Sequence, residues 1–153
     1  MKSKGNSIIL FDHTEHGQEL FRLCSMTALD TDKEVRFIDG SVELDDRTSI
    51  CSDIESKQNI VLVANAKCFG VGINIKNISV IVLALSGKGQ TKIIQAIGRG
   101  LRRLAGTTYL TLFDIHHAWK YSSDHFQQRL ALYKEHYNKD VVDISKEIDC
   151  LKE

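Results

Sequence analysis

The sequence lacks several features that would place the protein in a specialised class. Its 153 residues include no proline, so tight turns must be built from its ten glycines and from Asn and Asp. The longest apolar runs, such as residues 79–85, are far shorter than the roughly 18 residues that a membrane-spanning helix needs. The first six residues do not contain the apolar stretch of a signal peptide. We therefore expect no membrane segment and predict a cytoplasmic protein.

Paired cysteines and net charge are also missing. The four cysteines, at positions 24, 51, 68 and 150, form no C-x-x-C pair, which argues against a zinc site and against a dense set of disulfides. Six histidines are present, but they form no recognisable metal-ligand or acid–His–nucleophile pattern, and no metal site is predicted. Lys plus Arg and Asp plus Glu both number 20, which excludes a uniformly basic nucleic-acid coat but permits a local patch.

Alternating apolar and amphipathic segments predict an α/β fold. The hydrophobic fraction of 42% is enough for one core. We predict strands at residues 7–11, 34–38, 59–64, 79–84 and 108–113, and helices at 14–29, 43–55, 91–104 and 122–136. Uninterrupted Val, Ile and Leu runs are typical of strands buried on both faces, and intervening helices imply parallel pairing. The prediction is a doubly wound, mostly parallel sheet with helices on both faces, which binds ligands beyond the carboxyl ends of its strands.

We expect residues 7–140 to form this domain. Residues 1–6 are then a disordered segment or linker, and residues 141–153 form a tail that either caps the domain as a helix or frays. Cys68 is expected to be a small buried hydrophobe. Helical spacing predicts that one side of each helix faces the core: Leu20, Phe21, Leu23 and Cys24 in the first, Leu44, Ile50 and Ile54 in the second, and Phe126, Leu130 and Tyr133 in the helix at 122–136, with Tyr137 directly after it.

The segment at residues 86–103 is basic and contains no acid. On a helical wheel its isoleucines and leucines fall on one side, while Gln95, Arg99 and Arg102 project together from the other. A solvated helix face is one explanation for such a stripe. The absence of acidic partners, together with Gly98 and Gly100 inside the helix, favours the other explanation, a surface that recognises phosphate. Arginine suits that task because its guanidinium is permanently charged and bidentate.

Four segments resemble the motifs of superfamily 2 helicases. Gln95-Ala-Ile-Gly-Arg99-Gly-Leu-Arg102 is similar to their sixth motif, Q-x-x-G-R-x-x-R, and residues 61–75 are similar to the fifth, a strand followed by G-x-G. Residues 8–17 resemble the fourth motif, and residues 37–41 with Arg47 resemble the stretch whose loop faces nucleic acid. The resemblance covers about residues 6–117 and is strongest to UvsW-type helicases of phages, which would place the protein in the host cytoplasm.

This resemblance implies the second RecA-like domain of an ATP-dependent helicase. It makes Arg102 the arginine finger and Arg99 a second phosphate contact, and it places Gln95, Gly72 and Asn74 against ATP. It also implies DNA as a partner, with RNA possible, on a track of strand-end loops. The residues expected on that track are His13, Thr14, Gly40, Ser41, Ala66, Lys67 and Lys88.

The sequence contains no G-x-x-x-x-G-K-[ST] phosphate cradle and no Asp-Glu pair after a hydrophobic strand. ATP would therefore be shared with an N-terminal RecA-like domain, which alone would hold Mg²⁺, and this chain by itself would be inactive. We expect Asp114, at the end of a strand, to partner one of the motif arginines. A stand-alone nucleic-acid-binding or regulatory module without ATPase activity is the alternative. An unrelated α/β enzyme is a third possibility, but no glycine-rich loop follows the first strand.

Overall fold

A computed structural model of the protein describes residues 5–69, 75, 78–85, 110–115 and 120–137. The strands are β1 (Asn6–Phe11), β2 (Glu34–Ile38), β3 (Ile60–Asn65), β4 (Ile78–Ala84) and β5 (Thr111–Asp114). The helices are α1 (Thr14–Ala28), α2 (Leu44–Ser56), the short α3 (Ala66–Phe69) and α4 (Lys120–Tyr137). The predicted helix at 91–104 and the predicted tail at 141–153 lie outside the described residues.

The five strands form one parallel sheet in the order β2-β3-β1-β4-β5. This arrangement confirms the predicted parallel α/β sheet. In each pair the strands run in the same direction, so the chain must return to the opposite end of the sheet between strands. All five carboxyl ends therefore lie along one edge, which we call the carboxyl edge.

Helices cover both faces of the sheet, because successive strand residues point to opposite sides. On one face, Leu10 of β1 belongs to a buried cluster with Leu62, Leu83 and Ile54 of α2, whose side chain is 1% exposed. On the other face, Phe11 contacts α1. Its ring stacks on Phe37 of β2 at a centroid distance of 5.5 Å. The apolar runs are therefore buried from two sides, as their composition predicted.

Gly17 lets α1 lie directly on the sheet. A Cβ atom at this position would be 2.4 Å from the Phe11 ring, closer than any real contact. A glycine inside a helix costs about 1 kcal/mol relative to alanine. Here that cost is offset because the helix can approach an aromatic ring that a side chain would displace.

Two predicted core residues are exposed. Leu23 is 47% exposed, because it lies about 120° around α1 from Gly17, at 3.6 residues per turn, and so beyond the stripe that contacts the sheet. Leu44 is 69% exposed, because it is the first residue of α2, at the carboxyl edge, where the strands no longer cover it. The predictions for Ile54, Cys68 and Tyr133 are confirmed, since all three are buried.

A buried ion pair attaches α4 to β5. The guanidinium of Arg129 donates through Nε to Asp114 Oδ2 at 2.6 Å and through Nη2 to Oδ1 at 2.8 Å. The Tyr133 hydroxyl donates to Asp114 Oδ2 at 2.7 Å, and its pKa is raised by burial and by the neighbouring carboxylate, so it remains a donor. The motif arginines predicted to partner Asp114 lie outside the described residues, and in the described part of the chain its arginine partner is Arg129.

Burial of this pair predicts a large effect of removing one partner. Arg129→Met leaves the Asp114 carboxylate buried without its countercharge, and we expect the free energy of unfolding to fall by about 3–5 kcal/mol. Arg22→Met is the matched control, because Arg22 makes the same two-point contact with Glu19 on the exposed surface of α1. Solvent screens that pair, so the control should unfold like the parent. The free energy of unfolding is measured by urea denaturation. Equal losses in Arg129→Met and Arg22→Met would show that the Arg129–Asp114 pair is no more important for stability than an exposed pair.

Candidate nucleic-acid interface

Three loops follow neighbouring strands at the carboxyl edge. They come after β2, β3 and β1, in that spatial order, and two strand spacings of about 4.8 Å place them within roughly 10 Å of one another. Six of the predicted track residues lie in these loops or at the helix starts beside them. These residues are His13, Thr14, Gly40, Ser41, Ala66 and Lys67.

The loop between β2 and α2 (residues 39–43, the β2–α2 loop) is held from both ends by charged groups. At its start, Asp39 Oδ1 accepts hydrogen bonds from the Ser41 backbone N–H at 2.9 Å and from the Ser41 hydroxyl at 2.5 Å. At its end, Arg47 of α2 donates through Nε to the Val42 carbonyl at 2.7 Å and through Nη2 to the Gly40 carbonyl at 3.2 Å. These four hydrogen bonds give the loop a defined shape.

Ser41 contributes to this shape through both of its donors. Its hydroxyl hydrogen and its backbone N–H are directed to Asp39. These hydrogen bonds, with a smaller contribution from the charge of Arg47, lower the pKa of the Asp39 carboxyl. Both donors of Ser41 are therefore used within the loop. Its place on the nucleic-acid track remains a prediction.

Gly40 leaves the tip of this loop open. It is exposed, and a Cβ atom built on it would meet no atom within 4 Å. Neither close packing nor a left-handed backbone angle therefore requires glycine at this position. The missing side chain leaves the backbone accessible to a ligand from outside.

A buried amide joins the loops that follow β3 and β1. Asn65, which is 8% exposed, donates through Nδ2 to the Asp12 carbonyl at 3.2 Å, and its Oδ1 accepts from the Lys67 backbone N–H at 3.0 Å. Ala66 is 4% exposed and its methyl group belongs to the core, so only its backbone is available to a ligand. Lys67 is exposed and forms no ion pair with the residues that the structure describes.

His13 and Thr14 are exposed at the start of α1. His13 has an extended backbone and directly precedes the helix, and its carbonyl accepts from the Gly17 N–H at 2.9 Å. Thr14 is the first helical residue. The alignment of β1 with β3 brings this helix start next to the Asn65–Lys67 segment, as the strand-end prediction required.

The remaining predicted site residues lie outside the described part of the chain: Gly72, Asn74, Lys88, Gln95, Arg99 and Arg102. Leu85, the last described residue before the basic segment, is at the carboxyl end of β4. Among the described residues no group of three His, Cys, Asp or Glu side chains could hold a metal ion. No helix within the described ranges is long and apolar enough to cross a membrane.

Sequence reasoning missed the contacts that organise these loops. Arg47 was predicted only as part of a motif, and no contact was predicted for Asn65, which directly follows the predicted strand at 59–64. Asp39-Gly40-Ser41 carries a readable signal, because Asp commonly bonds the backbone N–H two residues later in turns. Asn65 and Lys67 show the same two-residue pattern. The bond from Asn65 to Asp12 joins residues 53 positions apart, and no local pattern indicates it.

The contact between Ser41 and Asp39 predicts a measurable change in titration. In Ser41→Ala the main cause of the lowered pKa is gone, and the pKa of Asp39 should rise towards its ordinary value, as followed by carboxyl ¹³C NMR. A lowered folded pKa stabilises the fold above the unfolded value of about 3.9, and this stabilisation is lost as the pH falls through the folded pKa. The stability difference between parent and variant should therefore shrink below about pH 4. An unchanged Asp39 titration, with Ser56→Ala as the control, would be inconsistent with this geometry.

Comparison with known proteins identifies the family. Residues 1–103 match the helicase conserved C-terminal domain. The ATP-dependent DNA helicase UvsW of Enterobacteria phage T4 is 32% identical over 110 residues, which are 72% of this chain and 21% of that protein. The chain thus spans about a fifth of this relative's length.

Solved structures agree with this match. The crystal structure of T4 UvsW is similar with a TM-score of 0.63 and 26% identity, over 86% of this chain and 29% of that one. The yeast DEAD-box splicing factor Prp28 shares the fold, with a TM-score of 0.70 and 19% identity over 93% of this chain and 30% of that one. The chain belongs to the family of helicase conserved C-terminal domains, and it is a superfamily 2 domain of the UvsW type.

Proposed function

We propose that this domain is the second motor domain of an ATP-dependent helicase or translocase, and that its carboxyl edge forms part of the nucleic-acid track. The observation that carries the proposal is the convergence of three motif loops on neighbouring strands β2, β3 and β1. The substrate we propose is DNA, as in the name of the T4 relative, with RNA as the second choice.

The track binds mainly the sugar-phosphate backbone. Its described parts offer the open backbone at Gly40, the exposed ammonium group of Lys67 and the exposed start of α1 at Thr14. Contacts of this kind position a strand without reading its bases, so binding is tolerant of sequence and sensitive to salt. Lys88, in the segment after β4, is proposed as a further phosphate contact.

The nucleotide side of the proposal rests on the motif residues. ATP binds between this domain and an N-terminal RecA-like domain, with Gln95, Gly72 and Asn74 on the nucleotide and Mg²⁺ held by the other domain. Arg102 serves as the arginine finger and Arg99 as a second phosphate contact. A guanidinium at the transferring phosphoryl group stabilises the charge that develops in the transition state.

The track predicts a specific loss of DNA affinity in Lys67→Ala. Removing one phosphate contact should weaken binding of a fluorescent single-stranded oligonucleotide, and it should flatten the plot of log affinity against log salt by about 0.7. Lys57→Ala is the matched control, because Lys57 is also exposed but follows α2 at the opposite edge of the sheet. The track assignment fails if both variants bind like the parent.

The arginine finger predicts a loss of turnover without a loss of DNA binding. In a fusion of this chain to the N-terminal RecA-like domain of a UvsW-type helicase, Arg102→Ala should lower DNA-stimulated ATP hydrolysis by about 10³-fold or more. The 153-residue chain alone should show no turnover above background, since it carries no phosphate cradle. A loss of less than about tenfold in the fusion would remove Arg102 from this role.

The same measurements distinguish the alternative, a stand-alone nucleic-acid-binding or regulatory module. Such a module would keep the salt-dependent binding at Lys67. The fusion would then hydrolyse ATP no faster with DNA than without it, and Arg102→Ala would have no effect on turnover.

A further inference from the structure

We infer that Arg47 is a positioning residue for nucleic acid: it holds the β2–α2 loop in the shape that receives a backbone phosphate at Gly40. This inference rests on the proposed function of the carboxyl edge as a track. It assigns Arg47 a task distinct from a direct phosphate contact, which is the obvious expectation for an arginine in a nucleic-acid-binding loop.

The geometry of Arg47 carries the inference. Its Nε donates to the Val42 carbonyl at 2.7 Å and its Nη2 to the Gly40 carbonyl at 3.2 Å, so one side chain ties two carbonyls that are two residues apart. The Arg47 backbone N–H also donates to the Glu43 carbonyl at 3.0 Å, which fixes the backbone position from which the side chain reaches the loop. The side chain is only half-buried, so no packing requirement in the core explains its orientation.

Only arginine among the cationic side chains suits this contact. Its guanidinium is a flat fork with donors at fixed angles, and it can reach both carbonyls in one orientation. A lysine ammonium is a single point on a flexible stem and loses more conformational freedom for each hydrogen bond. The charge would survive a change to lysine, but the two-carbonyl contact would not.

The surroundings of the loop explain why its shape matters. Glu43, Asp45 and Asp46 are exposed beside it, so this end of the track does not attract a phosphate by its charge. The carbonyl oxygens of Gly40 and Val42 would add to the repulsion if they turned outwards. Arg47 supplies a donor to each of the two oxygens while Asp39 holds Ser41, and the open side of Gly40 is the part that a phosphate meets.

The test compares Arg47→Lys and Arg47→Gln in the 153-residue chain. We expect both variants to bind a single-stranded oligonucleotide about five- to tenfold more weakly than the parent, because the loop must be ordered during binding. The salt slope of each variant should stay at the parent value, because no phosphate contact is removed. Amide exchange at Ser41 and Val42 should be faster in both. Arg22→Lys, on the exposed surface of α1, is the control and should match the parent in all three measurements.

Three outcomes would overturn the inference. If Arg47→Lys binds like the parent while Arg47→Gln flattens the salt slope by about 0.7, Arg47 contacts a phosphate directly. If both variants bind like the parent while Lys67→Ala binds weakly, the loop shape has no part in binding and the track itself survives. If Lys67→Ala also binds like the parent, the proposed function of this edge fails and the inference fails with it. Arg47→Lys keeps the charge and a long side chain, so it decides the question if the glutamine variant is unstable.

Discussion

Parallel pairing aligns the ends of five strands, and the candidate site depends on that alignment. One row of paired residues crosses the whole sheet, from Ile38 through Ala64, Leu10 and Leu83 to Asp114. Each of these residues is the last or the next-to-last residue of its strand. The loops that follow must therefore leave the sheet side by side, although the chain between them is tens of residues long.

Alignment alone does not give the loops a shape, and polar side chains supply the missing hydrogen bonds. The β2–α2 loop is closed by Asp39 and Arg47, and the loops after β1 and β3 are joined by Asn65. Each of these groups bonds to backbone atoms, which would otherwise be left to water. Ordering the loops in advance lowers the conformational entropy that a bound strand would have to remove. Under the proposed function, the groups that shape the loops also prepare them for a bound strand.

The two ends of the carboxyl edge differ in how far their side chains are exposed. On the β2, β3 and β1 side the described loops expose His13, Gly40 and Lys67, while Asp39, Asn65 and Ala66 are buried beneath them. At β5 the carboxylate of Asp114 is buried under Arg129 and Tyr133. That pair ties the last helix to the edge strand, and its burial removes Asp114 from the exposed surface. Strand-end position therefore does not by itself make a residue available to a ligand.

Most of the fold was readable from the chain, because apolar runs and helical spacing are local properties. Strand β2 was predicted with its observed bounds, and the other four strands and the helices α1, α2 and α4 were found within a few residues. The short helix α3 was not predicted. The motif spacing indicated which loops would share an edge, and the family comparison confirmed the identity of the domain. The errors came where burial depends on a neighbouring element: Leu23 has a core-like residue type but lies outside the contact stripe of α1, and Leu44 begins its helix beyond the cover of the strands.

Local sequence patterns therefore specified most of the helices and strands, the parallel sheet, and which loops lie at the carboxyl edge. Periodicity and turn chemistry act over a few residues, so they can be read from the sequence. Tertiary structure decided how the loops are held, which donors remain available and which charges are buried. Asn65 meets Asp12, and Arg129 meets Asp114, only because the sheet and its helices bring distant segments together. Such contacts follow from three-dimensional packing, in which sequence separation has no bearing on distance.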